Sequence, residues 1–172
     1  MSAEPEFRIE PLDLARHRRA EFDCGNQALT DYLRQQARKD MTAKVAACFV
    51  LVPVEDTGLI AGYYTLSAVS ISLTKLPPEL SKKIPKYPDL PATLLGRLAR
   101  DVRFRGQGVG DRLMASALAK AGKNSAEIGS MAIVTDPKDE AAGKFYSEFG
   151  FRELTETRLF LPMQGIPKEL LQ

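Results

Sequence analysis

Apolar and polar positions alternate over Phe7-Arg-Ile-Glu-Pro-Leu12, a period of two that predicts a first β-strand. Residues 12–24 lose that alternation to charge and read as a connection. From about Asn26 to Asp40 the period lengthens to that of a helix. Leu29, Tyr32, Leu33 and Ala37 fall on one stripe, Arg34 and Arg38 share another, and Asn26 is placed to cap the N-terminus. Residues 45–54 and 59–73 are rich in β-branched and aromatic side chains and flank Glu55-Asp-Thr-Gly58, a hairpin signal. The prolines of 76–91 exclude a regular element throughout, and strands too short for separate cores make this a surface loop rather than a linker. Then follow a strand at 93–102, a helix at 110–121 with Leu113, Met114, Ala117, Leu118 and Ala121 inward, and a strand at 126–135. Asp136 and Pro137 signal the start of a helix reaching about Phe149, with Gly150 as its stop, and 151–161 makes a last strand. This order predicts one α/β domain over residues 1–172 with mixed strand pairing; the tail 166–172 is open between a short helix and disorder.

Composition narrows this picture modestly. A chain of 172 residues with 44% hydrophobic and 27% charged residues can bury a sizeable core, and its net charge of +2 leaves any nucleic-acid contact to a local basic patch. No secretory signal or long apolar run is seen, and with only Cys24 and Cys48 the economical expectation is a cytoplasmic protein with reduced thiols. The two cysteines are expected as small buried residues, a Cys24–Cys48 disulfide and a nucleophilic role for one of them remaining open. His17, the only histidine, lies among Arg16, Arg18 and Arg19, where a solvated position is expected, and one histidine without further ligands gives no zinc site.

Candidate chemistry begins at Arg103-Phe-Arg-Gly-Gln-Gly-Val-Gly110. Gly106, Gly108 and Gly110 permit positive φ and bring backbone N–H groups close to a ligand, and the helix start behind them adds partial positive charge. A phosphate or pyrophosphate suits such a cradle; a tight, ligand-free turn is the plain alternative. The spacing is neither that of a P-loop nor that of a dinucleotide fingerprint.

Two motifs then occur in order. Arg105-Gly106-Gln107-Gly108-Val109-Gly110 resembles the acyl-CoA loop of the GNAT acetyltransferase superfamily, and Ala142-Gly-Lys-Phe-Tyr146-Ser-Glu-Phe-Gly150-Phe151 resembles its later Ala-x-x-Phe-Tyr-x-x-x-Gly-Phe run. A narrower likeness covers nearly the whole chain: Phe22-Asp-Cys-Gly-Asn26 with Leu29 and Leu33, Gly62-Tyr-Tyr-Thr-Leu-Ser67, Lys83-Ile-Pro85 and Gly96-Arg-Leu-Ala99 resemble the GNAT toxins of bacterial toxin–antitoxin pairs. The resemblance implies a mixed, mostly antiparallel sheet flanked by helices, with a splayed strand pair that holds acetyl-CoA. It further implies a homodimer neutralised by a ribbon-helix-helix antitoxin, and acetylation of the α-amino group of aminoacyl-tRNA, which stops translation.

On that resemblance, the cofactor contacts fall on Leu98, Ala99, Arg100, Asp101 and Val102 of the strand, on Arg105, Gly106, Gln107, Gly108, Val109 and Gly110 of the loop, and on Asp139 and Phe145. Asp139 stands where relatives often carry Asn; a solvated acid in the first turn of a helix is equally consistent. Arg100, where many relatives are apolar, faces either the cleft or solvent. Tyr146 is the candidate general acid, because a phenol stays protonated at neutral pH and matches a departing thiolate; a buried tyrosine beside Phe145 and Phe149 is the bland counterpart. No general base announces itself, and an α-amine with pKa ~8 needs less help than a lysine near ~10.4. The basic residues Arg34, Arg38, Lys39, Lys44, Lys82, Lys83, Lys86 and Arg97 are candidate tRNA contacts or a solvated surface. A small amine or a protein N-terminus as acceptor, and a catalytically idle CoA-binding module, are the competing readings.

Overall fold

The computed structural model describes residues 5–172. β1 (Phe7–Pro11) pairs antiparallel with β2 (Ala47–Pro53), Phe7 opposite Pro53, and β2 pairs antiparallel with β3 (Gly62–Ser72), Ala47 opposite Leu66. β4 (Asp89–Arg100) lies parallel to β5 (Ala132–Thr135), a pairing that needs a crossover, and α4 (Val109–Asn124) provides it. β7 (Leu159–Pro162) pairs antiparallel with both β5 and β6 (Arg152–Glu153). The sheet is seven-stranded in the order β1-β2-β3-β4-β5-β7-β6, the mixed and largely antiparallel arrangement expected.

The chain divides into two compact units. One runs to Leu66 and adds Arg97–Ala117; the other is Ser67–Gly96 with Leu118–Gln172. The first is built on Leu12, Phe22, Leu33, Val50, Val52, Ile60 and Tyr63, and includes α1 (Gln27–Asp31) and α2 (Ala37–Thr42). Between these helices Tyr32–Gln36 forms a π-helical turn in which the Ala37 N–H donates to the Tyr32 carbonyl, an i→i+5 bond. Asn26 caps α1 by accepting from the Leu29 N–H at 3.0 Å. The widened turn leaves carbonyls that Arg19 serves from outside, its Nη1 donating to Leu33 O at 3.5 Å and Arg34 O at 3.3 Å.

The second unit packs Ile71, Leu76, Leu90, Ala92, Ala132, Val134 and Phe160 together. Its C-terminal residues are ordered: Lys168–Leu171 makes a 3-10 turn, and a Cβ on Gly122 would lie 2.5 Å from Leu171 Cδ2. Glycine at 122 is therefore what admits the leucine.

Several local expectations are corrected. His17 is buried, not solvated: its Nδ1 accepts the Asp13 N–H at 2.8 Å, so Nε2 carries the proton toward Glu10 Oε1 at 2.6 Å. The 126–135 strand shrinks to Ala132–Thr135, because the chain after α4 continues in turns, Ala126 N to Lys123 O and Glu127 N to Asn124 O. α5 (Glu140–Glu148) starts after Asp139, whose Oδ1 accepts the Ala142 N–H at 2.8 Å; Asp136 is instead gripped by Arg158 at 2.8 and 2.9 Å. The final strand is interrupted by a turn closed by Thr155 N to Arg158 O. The proline-rich segment holds a four-residue helix, α3 (Pro78–Ser81), since proline at a first helical position forgoes no internal bond. Both cysteines are free, and burial pushes the Cys48 thiol up to about 12, as befits a packing residue and not a nucleophile.

Candidate active site

In the first unit the glycine loop is anchored from behind. The Asp101 side chain is fully buried: Oδ1 accepts from Arg103 N at 2.8 Å and Arg103 Nε at 2.9 Å, and Oδ2 from Asp23 N at 3.1 Å and Arg103 Nη2 at 2.9 Å. Asp101 N donates to Ala61 O and Val102 N to Asp23 O, both at 2.9 Å, so the strand end is tied to two neighbouring segments before the loop begins. Burial alone would raise the Asp101 pKa, but the Arg103 guanidinium and the N–H donors of Arg103 and Asp23 outweigh it and hold the carboxylate below its ordinary value. Gly62 completes the support. A Cβ there would lie 2.7 Å from Leu113 Cδ1 and 2.9 Å from Ala99 O, so only glycine allows this approach.

The loop itself is open. Gly106 and Gly108 take φ of +75° and +72°, and an added Cβ would meet nothing within 4 Å at either. Gly110 is within α4 and needs no such freedom. Val109 and Gly110 stand in the first turn of α4, where backbone N–H groups have no intrahelical partner. A turn whose glycines are demanded by backbone conformation, at a helix start and with vacant space where side chains would stand, fits a bound pyrophosphate. Arg100 is exposed, and Leu98 and Ala99 precede it on the same strand.

In the second unit, β4 and β5 pair at Thr93–Ile133 and Leu94–Val134, and one residue later the Thr135 hydroxyl donates to Leu95 O at 2.9 Å. A side chain thus replaces the ladder where β5 ends. Tyr146, on α5, is buried, with its ring 5.6 Å from both Phe145 and Phe151. Burial raises the phenol above the ordinary tyrosine pKa, against a smaller opposing effect of the Thr135 hydroxyl. The phenol therefore stays protonated throughout the neutral range. Asp139 has its carboxylate engaged as the helix cap, which accounts for an acid at that position without a ligand.

The basic candidates do not form one set. Arg34, Arg38 and Lys39 line a cleft of about 630 Å³ together with Arg19. Arg34 has a structural duty as well, donating to Phe22 O from Nε at 3.0 Å and Nη2 at 2.6 Å. Lys44 sits just beyond α2 with φ of 62°. Lys82, Lys83 and Lys86 are exposed in the proline-rich segment of the other unit, where Lys86 donates to Ser81 O. Arg97 stacks on the Tyr32 ring, its Cζ 3.6 Å from the centroid. Sequence reasoning passed over Arg19, Thr135 and the Asp101–Arg103 clamp, because each acts through a carbonyl or amide brought close only by folding. Asp101 and Arg103, two apart beside the glycine loop, were the one available hint.

An open glycine loop at a strand-to-helix turn, followed in the chain by a buried tyrosine, is an arrangement suited to an acyl-CoA-dependent transferase. The model of the acetyltransferase (GNAT) domain matches residues 43–153, and the chain belongs to that family; it is an acetyltransferase. It is 33% identical over 168 residues, 92% of each chain, to the probable toxin TacT of Sinorhizobium fredii. It is 30% identical over 130 residues to a tRNA-acetylating toxin of Mycobacterium tuberculosis, covering 76% of this chain and 75% of the relative. Among solved structures, AtaT complexed with acetyl-methionyl-tRNAfMet superimposes with a TM-score of 0.85 at 31% identity, covering 96% of this chain and 99% of AtaT. A tyrosine-to-phenylalanine mutant of AtaT, bound to the C-terminus of the antitoxin AtaR and acetyl-CoA, gives 0.80 at 27% identity over 96% and 99%.

Proposed function

We propose that this enzyme transfers an acetyl group directly from acetyl-CoA to the α-amino group of an aminoacyl-tRNA, and so blocks translation as the toxin of a toxin–antitoxin pair. The observation that carries the acceptor is the full-length likeness to AtaT, solved with an acetylated methionyl-tRNA, joined to the 30% identity with a named tRNA-acetylating toxin. Such a substrate places the enzyme in the cytoplasm; no helix among the described residues is long and apolar enough to cross a membrane. A ribbon-helix-helix antitoxin and a homodimer complete the reading; that there is an antitoxin partner is supported by AtaT bound to the C-terminus of the antitoxin AtaR.

Acetyl-CoA supplies the activated acyl group as a thioester. Gly106, Gln107, Gly108, Val109 and Gly110 hold its pyrophosphate through N–H groups, and the helix start behind them adds positive charge. Leu98, Ala99 and Arg100 offer backbone groups at the end of β4, the Asp101 and Val102 N–H groups being engaged by Ala61 O and Asp23 O, and one free N–H steadies developing negative charge on oxygen; loss of one such donor costs roughly 3 kcal/mol elsewhere. Tyr146 donates its phenolic proton to the leaving sulfur. Its raised pKa keeps that proton in place at the pH where an α-amine, pKa ~8, is partly neutral. Labelled acetyl-CoA incubated with a mixed pool of charged tRNAs tests the acceptor, with identification of the acetylated aminoacyl group. Label on polyamines or peptides and none on charged tRNA refutes it. Tyr146→Phe is expected to bind CoA normally and to lose turnover by about 10²-fold; unchanged turnover removes Tyr146 from the mechanism.

A further inference from the structure

Thr135, the last residue of β5, is held from three directions. Its backbone pairs with Leu159 of β7, its hydroxyl donates to Leu95 O of β4 at 2.9 Å, and the residue after it, Asp136, is gripped by Arg158 at 2.8 and 2.9 Å. The side chain is buried, and branching at Cβ restricts its rotamers. A hydroxyl is thus fixed at the point where the parallel pairing of Thr93 with Ile133 and Leu94 with Val134 has just stopped.

The same hydroxyl is within reach of the Tyr146 phenol. Tyr146 arrives from α5 with its ring packed at 5.6 Å from both Phe145 and Phe151, so both groups are set by the fold before any ligand arrives. Burial raises the phenol and the Thr135 hydroxyl lowers it, and no charged side chain enters that balance. A hydroxyl has one proton and two lone pairs. While Tyr146 is protonated, the Thr135 proton serves Leu95 O and a lone pair is left to accept from the phenol. A phenolate is a stronger acceptor than a neutral carbonyl, because hydrogen bonds to an ionised group are about twice as strong. Rotation about the Cβ–Oγ1 bond then exchanges the bond to Leu95 O for one to the phenolate.

Resting on Tyr146 as the acid of the proposed function, we infer that Thr135 is its positioning residue, holding the phenol oxygen in the resting enzyme and donating to the phenolate once the proton has left. Tyr146 loses its O–H bond as an S–H bond forms on the CoA sulfur, which leaves with the electron pair of the thioester C–S bond. The nitrogen that has bonded to the acetyl carbon sheds a proton, which restores the phenol, and the Thr135 proton returns to Leu95 O. Thr135 gives up no proton and acts through Tyr146.

The test is a double-mutant cycle on the full chain with a spectroscopic readout beside it. Thr135→Val is expected to lower kcat on a pool of charged tRNAs by roughly tenfold to hundredfold with CoA affinity unchanged. In the Tyr146→Phe background it is expected to cost nothing further. Thr135→Ser, which keeps the hydroxyl, is expected to recover most of the turnover. The same factor lost in both backgrounds, or none lost beside a crippled Tyr146→Phe, overturns the inference, because Thr135 is then structural only. For the second readout, 3-fluorotyrosine replaces the five tyrosines, and the fluorine signal missing in Tyr146→Phe reports residue 146. Thr135→Val is expected to move its titration up by roughly one pH unit; a titration that stays in place overturns the inference. Should Thr135→Val not fold, Thr135→Cys, of similar size and a weak donor, takes its place in both measurements. Unchanged turnover in Tyr146→Phe removes the acid and Thr135 with it. Absence of transfer to any charged tRNA removes the acceptor reading alone, since the fluorine titration scores Thr135 without an acceptor.

Discussion

Asp101→Asn is the substitution whose consequences the structure defines most closely. The carboxylate is fully buried and accepts four hydrogen bonds, two on each oxygen, from Asp23 N and from the backbone and guanidinium of Arg103. Asparagine keeps the shape but turns one oxygen into an NH2 group that faces donors in either flip. At least one buried N–H is then unmet, a loss of about 1–3 kcal/mol. The ion pair with Arg103 adds about 1 kcal/mol at most, because that guanidinium is 44% exposed and water replaces much of the attraction. The expected destabilisation is therefore about 1–4 kcal/mol at pH 7, read from urea unfolding with an unchanged slope.

The pH dependence carries a second check on the same variant. Because the folded Asp101 pKa lies below the unfolded value near ~3.9, its contribution is fully present above that value and is lost as pH falls through the folded pKa. The gap between wild type and Asp101→Asn should be constant from pH 7 to about 5 and narrow below about 4. A gap under about 0.5 kcal/mol at pH 7, or one that does not narrow in acid, refutes the clamp as described.

Gly108→Ala should destabilise by about 1–2 kcal/mol, the cost of a Cβ at positive φ, and should weaken CoA binding measurably by calorimetry even though the methyl group meets no neighbour. Arg34→Glu should lower Tm and should do so even without RNA present, since it removes both hydrogen bonds to Phe22 O; an unchanged Tm would return Arg34 to the role of a free surface cation. Turnover at saturating acetyl-CoA should rise with pH through about 8 as the acceptor amine loses its proton, and show no descending limb below about pH 10, because the Tyr146 phenol is raised above the ordinary tyrosine value; a fall between pH 8 and 9.5 assigns the proton donor elsewhere.

Element types were legible wherever the hydrophobic period was long, as in α4, or a cap was unambiguous, as at Asn26. The loop glycines were legible because positive φ leaves few other residues available. What escaped was decided by partners distant in the chain. Asp136 looked like a cap until Arg158 claimed it, and Asp139 took over the helix start. His17 looked solvated among arginines, but an acceptor role toward Asp13 N and a carboxylate at Glu10 make its burial affordable. Helical spacing placed Tyr32 on the inward stripe and gave no sign that the turn beginning there is wide, since a π-turn is a matter of which carbonyl an N–H selects.

That wide turn also leaves the length of its helix adjustable. The i→i+5 bond sets Ala37 over Tyr32 as an i→i+4 bond does in an ordinary helix, so removing Gln35 would close the turn to ordinary pitch with Tyr32 and Ala37 both still inward. A one-residue deletion within Tyr32–Gln36 should therefore keep α1 and α2 in phase, whereas the same deletion inside α1 or α2 would rotate one side by about 100°. Natural variation in the length of this segment is expected to fall at the wide turn.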